Sequence, residues 1–209
     1  MKKLTAFLLA VLCIVTLAAC KGDPKEPTDT SGKTDANTDN AHTTAGETET
    51  AGAESALALL TTVWNSYGED DKFPVAGGDM SEENMSMEGP GKFGLEDADA
   101  LDTTLGFPAA SVDQIDDAAS LVHMMNANTF TCGAYHVKNA EDVEALAAAI
   151  KDHIMQRQWL CGFPEKLVIV TVDNYVISFF GEGEIIDTFK ANLTAAYSQA
   201  QVVCDEPIA

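Results

Sequence analysis

Leu167-Val168-Ile169-Val170-Thr171-Val172-Asp173-Asn174-Tyr175-Val176-Ile177-Ser178-Phe179-Phe180 reads as two strands joined by a two-residue turn. β-Branched and aromatic residues fill both runs, and Asp-Asn is a pair that tolerates the positive φ of a tight hairpin. Pairing across that turn puts Val168, Val170, Tyr175, Ile177 and Phe179 on one face, with Leu167, Ile169, Val176 and Phe180 on the other. Both faces are apolar, so the hairpin belongs in the middle of a domain and has to be covered on both sides.

Helices are available for that cover. Glu184 to Tyr197 carries Ile186, Phe189, Leu193 and Tyr197 on one stripe and is expected to cover one face. Ala56, Leu57, Leu60, Val63, Trp64 and Tyr67 recur at three- and four-residue spacing before Gly68. That first helix is the candidate for the other face. Upstream, Ser120 to Met125 and Thr129 to Val137 form a second hairpin around Asn126-Ala127-Asn128. Asn139 then opens a helix running to Trp159, with Val143, Leu146, Ala147, Ile150 and Ile154 apolar. Gly106-Phe107-Pro108 precedes the first hairpin and Gly162-Phe163-Pro164 the second, so tripeptide and β-β-α order both occur twice. The expected fold is α+β: a four-stranded, mostly antiparallel sheet built as two β-β-α units, plus an N-terminal helix. Residues 69–102 read as a long irregular connection with one short helix near Leu95 to Leu101.

The N-terminus is of another kind. Lys2 and Lys3 precede the apolar run Leu4 to Leu17, and Leu17-Ala18-Ala19-Cys20 closes it. This is the build of a secretory signal peptide, too short to span a bilayer, with a cysteine at the expected cut. The Leu-Ala-Ala-Cys run resembles the lipobox of bacterial lipoproteins. That resemblance implies a signal peptide over 1–19, lipidation of Cys20 with diacylglycerol and an N-acyl (palmitate-type) chain, and anchoring at the cell envelope. The membrane would be either the outer side of the cytoplasmic membrane or the outer membrane. Residues 20–52 then form a lipidated cysteine and an acidic, Thr-rich tether. From Lys21 to Gly52 there is no aromatic residue and no Leu, Ile, Val or Met, so the tether is expected to be disordered. A flexible coil of that length spans about 30 Å on root-mean-square average. Residues 53–209 are left as a single globular domain.

Without residues 1–19 the chain holds 10 basic against 33 acidic residues, a net charge of −23. Such a balance excludes nucleic acid and anionic lipid headgroups as partners. Cys132, Cys161 and Cys204 remain besides Cys20, enough for one bridge and a free thiol, with every pairing open.

Residues from about Ser111 to Tyr197 resemble an uncharacterised domain family of bacterial lipoproteins. The likeness rests on the hairpin around Met124-Met125-Asn126, on Gln156-Arg157-Gln158-Trp159 ending the long helix, on Pro164 before a strand, and on Asn174-Tyr175-Val176 after a turn. The family implies an envelope lipoprotein and brings no catalytic residues with it.

Several sets of residues suggest chemistry. A two-residue turn at Ala127-Asn128 would set His123 opposite Cys132, with His136 further along the same face. Imidazole and thiolate together suit zinc or copper, or a Cys-His nucleophile. Met80, Met85, Met87, Met124 and Met125 are soft donors near or beyond that set, and Glu96, Asp97, Asp99 and Asp102 are hard ones suited to calcium. Gly181 and Gly183 open a helix whose N-terminus suits an anion, but Glu182 and Glu184 have the wrong sign for it. No nucleophile elbow, phosphate-binding glycine loop, His-Glu metalloprotease helix or Cys-x-x-Cys pair is present. The expectation is therefore a membrane-anchored, non-enzymatic lipoprotein module without a cofactor, binding a small molecule or an envelope protein. The alternatives are a copper- or zinc-binding lipoprotein using His123, Cys132 and His136, and a cell-wall-associated Cys-His enzyme.

Overall fold

Along the chain run α1 (Ala56–Asn65), β1 (Val75–Ala76), β2 (Gly91–Lys92), α2 (Ala98–Leu105), β3 (Ile115–His123), β4 (Phe130–Val137), α3 (Val143–Met155), β5 (Lys166–Val172), β6 (Tyr175–Gly181), α4 (Gly183–Ala196) and β7 (Gln201–Pro207). This computed structural model describes residues 52–79, 81–160 and 162–208, all within one compact unit, Glu47–Ala209. The signal segment, Cys20 and the tether up to residue 51 lie outside the described residues, as do Met80 and Cys161.

The hairpin of β5 and β6 closes with Val172 opposite Tyr175, and Asp173 takes φ 50° in its turn. Its two faces divide as the alternation requires. Val168, Val170, Tyr175, Ile177 and Phe179 enter one core, and Leu167, Ile169, Val176 and Phe180 the other. At roughly 1.5–3 kcal/mol per fully buried large apolar side chain, these two cores hold the fold.

The sheet is antiparallel, and it has seven strands where the sequence suggests four. The order is β1-β3-β4-β6-β5-β7, with β2 also paired to β3. The two expected hairpins are its centre, and each is followed by a helix. The three added strands carry no usable period. β1 and β2 are two residues each, and β7 buries only Cys204 while Val202 and Val203 stay exposed. A register shift opposite Ile169 and Val170 accounts for that break in alternation.

The helices are distributed differently from the sequence reading. α1 and α4 do not take opposite faces; they share the core of Trp64, Phe130, Phe179 and Phe189. The other face is covered by α3 and α2, with Phe107, Tyr135, Ile150 and Phe180 packed beneath them. Connection geometry explains it. The links β4-α3-β5 and β6-α4-β7 each step over one strand in the same direction, yet β4 and β6 run antiparallel. Crossovers of one hand that start from opposed strands must lie on opposite faces, so α3 and α4 separate.

The repeated tripeptides serve different ends. Gly106, at φ 69°, caps α2 in the left-handed conformation and sends Phe107 into the core. Gly162 is also left-handed, at φ 89°, but Phe163 after it is 73% exposed. The β-β-α repeat is real at the level of elements and absent at the level of these residues. Arg157 donates to Asp102 O at 3.2 Å and to Thr103 O at 2.5 Å, so the end of α3 ties down the end of α2.

Candidate functional site

A cleft opens at the end of the sheet where β3 begins, β4 ends and β5 turns into β6. Its walls come from the chain just before α1 (Ala53, Glu54, Ser55), from Asp116 and Asp117, from His136, and from Asp173, Asn174 and Tyr175, around a volume of about 710 Å³. A register shift between Ile115 and Asp117 leaves Asp116 outside the regular ladder with β4. From there its Oδ1 meets His136 Nδ1 at 2.5 Å.

Asp117 does a different job. Its Oδ2 accepts from Ala56 N at 2.7 Å, while Ser55 Oγ accepts from Ala58 N at 3.0 Å. Two of the orphan donors at the start of α1 are thus met, one by a strand carboxylate and one by the helix's own cap. The strand thereby fixes where α1 begins, and with it the wall that Glu54 belongs to.

Tyr175 lies within the cleft wall. It is 6% exposed, and its ring packs 4.8 Å from the His136 ring. Burial, followed by the charges of Asp117 and Asp116, raises its phenol above the ordinary value. Its hydroxyl makes no hydrogen bond among the described residues although the side chain lines the cleft. The lining residues include four carboxylates and one imidazole and no lysine or arginine. Such a wall repels anions and offers acceptors to a cation.

The residues singled out in the sequence fall elsewhere, His136 excepted. Leu121, not His123, stands opposite Cys132, because the β3–β4 connection runs over six residues, 124–129, and not two. His123 pairs across from Val75, stacks on Phe73 at 5.7 Å, and its Nδ1 accepts from Met125 N and Asn126 N at 3.2 Å each. That nitrogen is occupied in shaping the loop. Cys132 is fully buried between the two histidines on the same face, and burial pushes its thiol well above the ordinary value. His136 is four residues along, roughly 13 Å at strand rise. Among the described residues no hydrogen bond joins Cys132 to a histidine, and no group of three His, Cys, Asp or Glu side chains is placed to hold a metal ion.

The other sets are structural. Asp97 caps α2 by accepting from Ala100 N at 2.9 Å, and Asp102 pairs with His153 Nε2 at 2.8 Å. Met85 and Met87 lie on the β1–β2 connection and Met124 and Met125 on the β3–β4 loop, all four exposed. The N-terminus of α4 is filled by the chain itself, Glu165 Oε2 accepting from Gly183 N at 2.9 Å. Cys132 and Cys204 sit in cores on opposite faces of the sheet and are both free thiols, so they do not bridge one another.

Sequence reasoning missed Asp116, Asp117, Asp173 and Tyr175 as a group. One signal was available: two consecutive acids open an otherwise apolar strand, where burial of both is costly unless each has a partner. Comparison with protein-family models, curated proteins and solved structures finds no match.

Proposed function

We propose that this chain is a lipid-anchored lipoprotein of the cell envelope whose α+β domain is a non-enzymatic binding module, with the cleft at the start of α1 as its ligand site. One observation carries the binding part of the reading. The cleft has the volume of a small-molecule site, and its wall gathers the carboxylates of Glu54, Asp116, Asp117 and Asp173 around Tyr175, whose hydroxyl makes no hydrogen bond among the described residues. The anchoring part rests on Lys2, Lys3, the apolar run and Leu17-Ala18-Ala19-Cys20. The wide mouth suits a ligand that exchanges rather than one held permanently.

Anchoring is tested by Cys20→Ala in the producing cell. The variant is expected to incorporate no labelled palmitate and to leave the membrane fraction; unchanged labelling and sedimentation would refute the anchor. Ligand binding is tested by amide NMR of the full chain in detergent micelles against a small-molecule collection. Shifts confined to residues 53–55, 116–117, 136 and 173–175 are expected, and a collection that moves none of them counts against the cleft.

A second reading, docking on an envelope protein, is favoured by the far end of the sheet. There the loop carrying Met124 and Met125 meets the loop carrying Leu160 and Phe163 through Asn128 Nδ2 donating to Gly162 O at 3.3 Å. Met125, Leu160 and Phe163 are 79%, 92% and 73% exposed. A partner crosslinked through photoreactive residues at 125 and 163, and lost with Phe163→Ser, would support it.

A further inference from the structure

The cleft wall is one-sided in its chemistry. Glu54, Asp116, Asp117 and Asp173 supply carboxylates, and Tyr175 adds a hydroxyl oxygen and a ring. Part of this supply is already used: Asp117 Oδ2 by Ala56 N, Asp116 Oδ1 by His136, and Asp173 Oδ2 by Gln199 Nε2 at 3.2 Å. Glu54 makes no hydrogen bond or ion pair among the described residues. What is left facing the cleft is a set of acceptors around an aromatic side chain whose own hydroxyl makes no hydrogen bond among the described residues.

Three ligand chemistries meet this wall differently. An anion has no lysine or arginine to pair with and faces four carboxylates. A dehydrated metal ion needs ligands converging within about 2–2.6 Å of one point, and the described acids do not converge in that way. An ammonium group has three donors and no acceptor, gains from acceptors spread over a wall, and is attracted to an aromatic ring.

We propose that the cleft binds an aliphatic amine in its protonated form, the ammonium lying between Tyr175 and the carboxylates of Asp173 and Glu54. The proposal rests on the cleft being a ligand site and names the class of its ligand. Asp116 and His136 line the same cleft, and the wide mouth lets the rest of the molecule extend into solvent. A flexible diamine and a lysine side chain share this head group, so both are used as probes.

The experiment is an amide NMR titration of the full chain in detergent micelles. The probes are 1,5-diaminopentane and Nα-acetyl-lysine methylamide, against glutarate, N-acetylglucosamine, calcium and zinc. Saturable shifts at residues 53–55, 116 and 173–175 with the amines are expected. Preference between the two amines then separates a free polyamine from a lysine-bearing source. Asp173→Asn, which keeps a residue suited to the positive-φ turn, should weaken amine binding by about tenfold, the size of one charge-assisted hydrogen bond. Tyr175→Phe should weaken it several-fold while leaving the melting temperature unchanged, because the hydroxyl removed makes no hydrogen bond among the described residues. Shifts of the cleft by the saccharide or a metal ion but not by amines would overturn the ammonium and leave the cleft a ligand site. Silence with every probe would count against both. Amine binding that is indifferent to Asp173→Asn and Tyr175→Phe would also overturn the proposal.

Discussion

Cys132 shows how far a residue's meaning depends on what lies across the sheet from it. Leu121 and Phe179 are its cross-strand neighbours, and its side chain is wholly enclosed. A thiol in that setting stays protonated and behaves as a small apolar side chain. Iodoacetamide at neutral pH is therefore expected to leave Cys132 unmodified in the folded protein and to label it once denaturant unfolds the chain. Substitution gives a second check. Cys132→Ala should cost about 1–2 kcal/mol from the small cavity it leaves. Cys132→Ser should cost more, because its hydroxyl would be buried without a partner. A nucleophile would show the reverse pattern: fast labelling in the native state and little effect on stability. Denaturation midpoints of the two variants, read beside labelling rates, decide it.

At the scale of elements, legibility followed burial and length. The β5–β6 hairpin could be read down to the face of each residue because all its strand side chains except Lys166 and Thr171 are buried and its turn has two residues. The β3–β4 hairpin could be read as an element but not in register. Asn126-Ala127-Asn128 advertises a tight turn, while His123 Nδ1 accepts two amide hydrogens and holds open a longer loop. The cleft was illegible because it is made where elements meet, and a helix start, a register shift and a turn leave no joint signature in a single chain. The stretch between β1 and α2 was least legible of all, having no period, yet it is organised around one carboxylate. Asp79 Oδ1 accepts from Ser81 N at 2.8 Å and from Ser81 Oγ, and Oδ2 accepts from Asn84 Nδ2 and Gly94 N, both at 2.8 Å. Partial burial pushes the Asp79 carboxyl up, but these donors outweigh it and hold it at about 2. With the folded value below the unfolded one, the ionised form stabilises the fold above the ordinary carboxylate range. That contribution is lost as pH falls towards 2. Asp79→Ala is expected to lose about 1–2 kcal/mol at neutral pH after allowance for solvent screening, with the difference from the parent narrowing between about pH 4 and 2. Urea unfolding across that range measures it, and a pH-independent difference would mean that the loop does not depend on the charge of Asp79.

For the molecule as a whole, the balance of charge is lopsided and local pairing only partly relieves it. Residues 53–209 hold 7 basic and 26 acidic side chains, a net charge of −19. Most of the few cations are committed. Lys166 and Lys190 bridge Asp187 of α4 to Asp205 of β7, and Lys151 of α3 meets Glu206 of β7 at 2.5 Å. These contacts fasten the last strand to helices on both faces. The lysines hold Asp187 below the ordinary carboxylate range; they also lower Asp205, overcoming the opposite push of its partial burial. Pairs this exposed are worth only about 0.2–1 kcal/mol each, and salt weakens them. Repulsion among the surplus acids acts over the whole surface and is also screened, as the Debye length shrinks from about 30 Å at 0.01 M to about 8 Å at 0.15 M salt. The two effects oppose one another, and the larger number of unpaired acids decides the sign. Raising sodium chloride over that range is therefore expected to stabilise the protein by about 1 kcal/mol, or about 2–4 °C in melting temperature. Glu206→Gln should leave that slope nearly unchanged, since it removes one screened attraction together with one repelling charge. A melting temperature that falls with salt would place the stability of this domain in its β7 ion pairs rather than in relief of its acidic surface.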